Sequence, residues 1–154
     1  MSDRQIEVDD AVIEDALEIE ATLIKAQQAS PTPLPFPERP YAVQAMMDSI
    51  AQGLVGVAKQ NGKVVGVIVL GWWGWPWNRQ VKWLVNMHWW VEPEYRAGGT
   101  AKRLLDWAKN KSDELQLPLR LEITYGGKDA EKLDTFIMRQ GLEYTGGSFL
   151  YTPV

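Results

Sequence analysis

Residues 94 to 105, EYRAGGTAKRLL, set Arg96 ahead of the Gly98-Gly99 pair and then pass directly into helix-forming sequence. A strand that turns through glycines into a helix aims unpaired backbone amides, and the positive end of the helix dipole, at one point in space. Such a point attracts phosphate. Glycine reaches backbone torsions closed to other residues and leaves no Cβ in the path of an anion. The same residues also suit a plain loop entering a helix, so the surrounding elements must decide. Neither familiar phosphate loop fits, because GGTAKR lacks both the G-x-x-x-x-G-K-[ST] and the G-x-G-x-x-G spacings. Just upstream, VKWLVNMHWWV carries the chain's one histidine, His88, which is the titratable group of suitable pKa for a base on that segment. A histidine beside two tryptophans also has a packing reading. Glu92 reads as an exposed loop residue.

Composition narrows the chemistry. The absence of cysteine rules out disulfides, thiolate metal sites and a cysteine nucleophile, and one histidine is too few for ordinary zinc catalysis, so no metal is expected. The net charge of −4 argues against nucleic acid as the main partner, since phosphate neutralisation needs a basic face. At 154 residues and 45% apolar content, the chain is expected to form one domain over 1–154. No apolar run approaches the ~20 residues that cross a bilayer, and MSDRQIEVDD lacks a signal-peptide layout. A cytoplasmic protein with no membrane partner is the expectation.

The elements that would position the glycine turn are readable in order. AVIEDALEIEATLIKAQQAS, residues 11–30, predicts a first helix with Ile13, Leu17, Ala21 and Ile24 on its apolar stripe, while the Met1 to Asp10 end is expected to fray. Five prolines in residues 31–40 bar a helix there, and residues 41–54 predict a second helix that Gly53 can end. Two β-branched runs around Asn61-Gly62 predict a hairpin with a type I′ turn. GWPWNRQ, residues 74–80, reads as a turn, and residues 81–91 as a buried third strand leading into the glycine stretch. From Thr100 the residues Ala101, Leu104, Leu105, Ala108 and Leu115 predict an amphipathic helix ending before Pro118. A strand over 119–125, a helix over 129–140 stopped by Gly141, and a closing hairpin in LEYTGGSFLYT complete the chain.

Arg96, Gly99 and Ala101 match [QR]-x-x-G-x-[GA], and in this element order the chain resembles the GNAT superfamily of N-acetyltransferases. VEPEYRAGGTAKRLLDWA is similar to that family's strand-4 end, turn and third helix, and FIMRQGLEYTG to its later helix-Gly-strand segment. The resemblance implies a mixed α/β fold with a central, mostly antiparallel sheet whose strands 4 and 5 splay apart, flanked by helices. It implies acetyl-CoA as co-substrate, with the backbone amides of Arg96, Ala97, Gly98, Gly99, Thr100 and Ala101 wrapping its pyrophosphate. Lys102 or Arg103 could add a contact to phosphate, although both also read as solvated helix charges. The Trp89 amide becomes the candidate to polarise the acetyl carbonyl, and the Val91 amide a pantetheine contact. The reaction implied is direct attack of a neutral amine on the thioester.

The chain also departs from the family pattern. Where many members carry a tyrosine acid, four residues before the glycine after helix 4, this sequence has Ile137, leaving Tyr125 as a substitute. No glutamate stands on strand 4 either, so His88 is the candidate base. A non-catalytic GNAT-fold module for coenzyme A or protein binding is therefore the alternative to an enzyme. A sugar or single-strand binder built on the tryptophan cluster has the wrong net charge for nucleic acid. The acceptor, a small-molecule or peptide amine, would be lined by the Pro31 to Pro40 loop, the Trp72 to Trp77 segment and the terminal hairpin. Trp89 and Trp90 can share a face only if a bulge intervenes. Tryptophans left at the surface would offer a homodimer interface.

Overall fold

A computed structural model of the chain describes residues 5–30, 35–123, 130–146 and 153. They fall into two compact units, Met1–Glu122 and Ile123–Val154. In the first unit five strands form one sheet in the order β1-β2-β3-β4-β5, antiparallel throughout except for the parallel β4–β5 pair. The strands are β1 (Ile6–Asp10), β2 (Val55–Gln60), β3 (Lys63–Trp75), β4 (Asn78–Val91) and β5 (Leu119–Arg120), with helices α1 (Ala16–Ala29), α2 (Arg39–Ala51) and α3 (Thr100–Leu115) on its faces. The second unit contributes α4 (Ala130–Arg139), in which Ile137 is buried.

Along β3, where a register shift leaves Val65 as an extra residue between Val64 and Gly66, the core sorts into two layers. Val65, Ile68 and Leu70 join Leu104 and Ala108 of α3, whereas Val64, Val67 and Val69 join Ile19 of α1 and Met46 of α2. The β2–β3 hairpin turns at Asn61 and Gly62 with φ of 51° and 77°, the pair of positive torsions that a type I′ turn requires. At Gly56 the Trp107 indole lies so close that a Cβ would stand 2.5 Å from its Cδ2. That absence of a side chain lets α3 settle on β2.

Several sequence expectations are corrected. Residues 6–10 do not fray but form β1, whose Ile6 and Val8 pack on the α3 side and whose Ile6 carbonyl accepts a hydrogen bond from Arg103 Nη1 at 2.9 Å. The first helix begins at Ala16 after a short 3₁₀ turn, and Ile13 and Leu17 are exposed. Its buried face holds Ala16, Ile19, Glu20, Thr22 and Ala26, and apart from Ile19 these are small or polar residues that apolar periodicity registers poorly. Pro40 lies in the first turn of α2, where its missing N–H costs no helical bond. The expected loop at 74–80 is mostly strand, with only Pro76 and Trp77 forming the turn between β3 and β4. Strand β5 stops at Arg120 instead of reaching 125, and residues 142–146 are irregular. The rest of the expected closing hairpin, residues 147–152, lies outside the described residues.

Replacing Gly56 with alanine should therefore overpack this contact. Loss of roughly 1–3 kcal/mol of unfolding free energy is expected in urea titrations, and Trp107→Leu in the same background should recover part of it.

Candidate active site

The β3–β4 ladder pairs Val69 with His88 but Leu70 with Asn86, so Met87 is an extra residue on β4. This bulge falls before the two tryptophans and not between them. Trp89 consequently packs with the α3 layer and Trp90 with the α1–α2 layer, on opposite faces of the sheet.

Beside the bulge, β4 and β5 part. Their parallel pairing covers only Leu84↔Leu119 and Val85↔Arg120. One residue further, the Asn86 side chain takes the place of the ladder: its Nδ2 donates to the Glu122 carbonyl at 2.9 Å and its Oδ1 accepts from the Glu122 amide at 2.7 Å. Beyond that clasp no strand among the described residues pairs with the outer edge of β4. Glu92 donates its N–H inward to the Val65 carbonyl at 2.9 Å, and antiparallel alternation then turns the N–H groups of Trp89 and Val91 outward along this open edge.

The chain next makes a short 3₁₀ turn at Pro93–Tyr95 and enters α3 through Gly99, whose φ of +83° is a left-handed conformation suited to glycine. Arg96 fastens this loop to the strand it has left, since its Nε donates to the Val91 carbonyl at 2.9 Å and its guanidinium lies 4.7 Å from the Trp90 ring centroid. Tyr95 Oη donates to Gln60 Oε1 at 2.5 Å, and Lys25 pairs with Glu92. The Arg96 and Gly98 amides are spent on local turns, donating to the Pro93 and Tyr95 carbonyls. Among the described backbone hydrogen bonds, none uses the amides of Ala97, Gly99, Thr100, Ala101 or Lys102. A Cβ built on Gly99 would meet nothing within 4 Å, so open space lies in front of that glycine. The loop thus presents the donors that a diphosphate requires. Lys102 Nζ pairs with Asp106 at 2.7 Å and Arg103 reaches Ile6, so both long cations have partners within the chain.

His88 is 3% exposed, on the α1–α2 side of the sheet. The Thr22 hydroxyl donates to the Ile19 carbonyl at 2.6 Å and stands 2.7 Å from His88 Nε2. With its one proton committed, that hydroxyl accepts from Nε2–H, which assigns the Nε2–H tautomer and leaves a lone pair on Nδ1. Nδ1 is buried and has no hydrogen-bond partner among the described residues. Desolvation lowers the His88 pKa from 6.5 to about 4, so the ring is neutral at pH 7. The other sequence candidate for proton transfer, Tyr125, lies outside the described residues. Sequence reasoning missed Asn86, Met87 and Thr22, none of which belongs to a recognisable motif.

Comparison with known proteins adds a family and a fold. The family model described as Acetyltransferase (GNAT) family matches residues 21–133. No curated protein sequence gives a significant match. Among solved structures, the ribosomal-protein-alanine N-acetyltransferase of Brucella melitensis is similar at a TM-score of 0.66 and 18% identity, over 97% of this chain and 99% of that one. A predicted acetyltransferase from Clostridium acetobutylicum with acetyl-CoA aligns at 0.69 and 16% identity, over 96% of both chains. An aminoglycoside acetyltransferase from an uncultured soil metagenomic sample aligns at 0.70 and 15% identity, over 99% of both. The expected mixed α/β architecture, with its mostly antiparallel sheet, is the one observed.

The buried histidine has a thermodynamic consequence. Because its folded pKa lies below the unfolded value, the unfolded chain binds the extra proton, and stability is lost as pH falls from about 6.5 towards about 4. The full loss attributable to His88 is roughly 3 kcal/mol from the difference between those two values. Urea unfolding of wild type and His88→Gln at pH 7 and pH 4.5 should show a smaller loss in the variant; equal losses would contradict the burial of a neutral ring.

Proposed function

The chain belongs to the GNAT acetyltransferase family, and from that premise we propose that it moves the acetyl group of acetyl-CoA to an amine acceptor by direct attack, within one catalytic domain. The observation that carries this reading is the row of unbonded amides at Ala97, Gly99, Thr100, Ala101 and Lys102, next to the open edge of β4. Those amides and the α3 dipole would hold the coenzyme's pyrophosphate, with Arg96 acting through its side chain to fix the loop. Acetyl-CoA supplies an activated thioester. Val91 N–H would hold the pantetheine arm and Trp89 N–H would face the carbonyl oxygen, where one well-placed donor is worth roughly 3 kcal/mol as negative charge develops.

An alkylammonium acceptor of pKa ~10.4 must lose a proton before it attacks. Direct transfer to His88, with a pKa of about 4, is uphill by about six pK units. His88 Nδ1 therefore serves best as a neutral acceptor that orients the amine or a water, while the proton departs to solvent. A coenzyme thiolate with pKa ~8.5 leaves readily, so the acid role, assigned on sequence grounds to Tyr125, assists without being indispensable. Structural relatives named for a ribosomal protein's alanine and for an aminoglycoside fit a peptide or small-molecule amine as acceptor here. No helix among the described residues is long and apolar enough to cross a membrane. We place the enzyme in the cytoplasm, where acetyl-CoA is made available to it.

Ile137 in place of a tyrosine, and the lack of a glutamate on β4, favour the non-catalytic coenzyme-binding module as the second reading. Release of free thiol from acetyl-CoA across a panel of amines separates the two. Acetyl-CoA should raise the melting temperature of the wild-type protein. Gly99→Glu should remove that shift while the protein stays folded, because the new carboxylate enters open space facing the amides and the φ penalty is only about 1 kcal/mol. Unchanged acetyl-CoA affinity in folded Gly99→Glu would sink the site. His88→Ala should lower kcat/KM by about tenfold, the worth of one lost neutral hydrogen bond, without moving its pH dependence between pH 6 and 9. An unaltered rate would remove His88 from the mechanism.

A further inference from the structure

The β3–β4 ribbon continues past the sheet. Its pairing runs on to Gly74↔Lys82 and Trp75↔Asn78, whereas β2 accompanies β3 only as far as Val69 and β5 meets β4 only at Leu84 and Val85. Residues 73–83 thus form a two-stranded projection, since Gly71 and Trp72 pair with Val85 and Leu84, where β5 still flanks β4. Trp73, Trp75 and Trp77 are 59%, 50% and 82% exposed along it, a concentration of large apolar surface, while Trp72 at its base is 45% exposed and donates its Nε1–H to Gln52 Oε1 at 3.0 Å. Trp75 and Trp77 touch at the tip, with ring centroids 5.6 Å apart. Strand alternation puts Trp73 and Trp75 on one face and Trp72 on the other. Trp75 and the 82% exposed Trp77 make the tip itself aromatic.

Charge is equally uneven. No acidic residue occurs between Asp48 and Glu92 in a chain of net charge −4, and the ribbon's charges are Arg79 and Lys82. Together these features suit a surface that is anionic outside, apolar beneath, and able to surround an inserted tip. We propose that the β3–β4 ribbon seats this protein peripherally on an anionic lipid bilayer, with its tryptophans at the headgroup boundary and Arg79 and Lys82 among the lipid phosphates. Tryptophan favours the membrane–water interface, and basic residues there are drawn to anionic lipid. The reach is sufficient, because the three β3 residues Trp73–Trp75 extend about 10 Å, against an interfacial layer of about 5–8 Å per leaflet. Pro76, with no amide to satisfy, closes the tip. A protein groove would cover one face of such a ribbon, and edge pairing with a second copy would leave both faces in water. The earlier expectation of no membrane partner rested on spanning length, which surface seating does not need.

The test is flotation of the full chain with vesicles of phosphatidylcholine alone, or of phosphatidylcholine mixed with phosphatidylglycerol, at low and high salt. Wild type should float with the anionic vesicles and be largely released by salt. The combined Trp73→Ser, Trp75→Ser and Trp77→Ser variant, and separately Arg79→Gln with Lys82→Gln, should each partition at least about tenfold less while melting like wild type. Failure of wild type to float, equal flotation with neutral vesicles, or equal flotation of both variants would overturn the proposal. So would a wild-type dimer in analytical ultracentrifugation that the tryptophan variant dissolves without any vesicle binding, which would make the ribbon a homodimer interface. Acetyl transfer stands or falls independently of all these outcomes.

Discussion

The separation of β4 from β5 is the constraint on which the rest of the site depends. A parallel pair that kept its ladder would satisfy every backbone group along β4 and leave no donor for a ligand. Here the ladder ends after Val85, and the Asn86 amide group, which offers both a donor and an acceptor, satisfies Glu122 across the widening gap. A side chain can span a distance that backbone cannot. The Met87 bulge lies immediately after this clasp on the same strand, adding a residue and twist just where β4 leaves its partner. The Trp89 and Val91 amides are turned outward as the geometric result.

Placing the Arg96–Gly99 loop at the end of that edge needs a second device. The first turn of α3 lies against β3 at Gly66, where a Cβ would stand 3.1 Å from Leu104 Cδ1 and 3.3 Å from Thr100 Cγ2. Glycine there permits the close approach, and the fully buried Thr100 and Leu104 hold the helix start in position. Arg96 ties the other side of the loop to the Val91 carbonyl and stacks on Trp90. The arginine of the motif thus spends its charge on internal geometry, so an anion at this loop would be left to backbone dipoles. Such dipoles are fixed beforehand, so little ordering would accompany binding.

These devices differ in how visibly the sequence carries them. The Asn61-Gly62 turn, the Gly99 entry to α3 and the α3 stripe are legible because each follows from one residue type's torsional freedom or from a simple period. β1 is not, since Ile6 and Val8 alone make too short an alternation, and its stability comes from β2 and from Arg103 a long way down the chain. The α1 face misleads because its buried residues include Glu20 and Thr22, whose partners lie on other elements: Arg39 for the first, His88 for the second. Asn86 reads as an unfavourable strand residue until its partner on the neighbouring segment is known. The tryptophan ribbon was obscured by its Gly and Pro, which suggest a loop by composition although the ladder continues through most of it.

His88 shows how one local hydrogen bond can limit the chemistry available to a site. Thr22 could have donated to the ring, but its proton belongs to the Ile19 carbonyl, a bond set by the geometry of α1 itself. The ring must therefore present Nε2–H to Thr22 and keep Nδ1 bare. A protonated ring would satisfy Thr22 equally well, so the hydrogen bond does not oppose charging; burial does, and among the described residues no hydrogen-bond partner of Nδ1 offsets it. The group is thereby a permanent acceptor across the neutral pH range, not a switch. In the proposed reaction an amine would find it an acceptor throughout that range, and the energetic burden of deprotonation would fall on the amine's own pKa. Catalysis in such a site would rest on alignment along the open edge of β4, with the protein contributing fixed dipoles and leaving the proton to water.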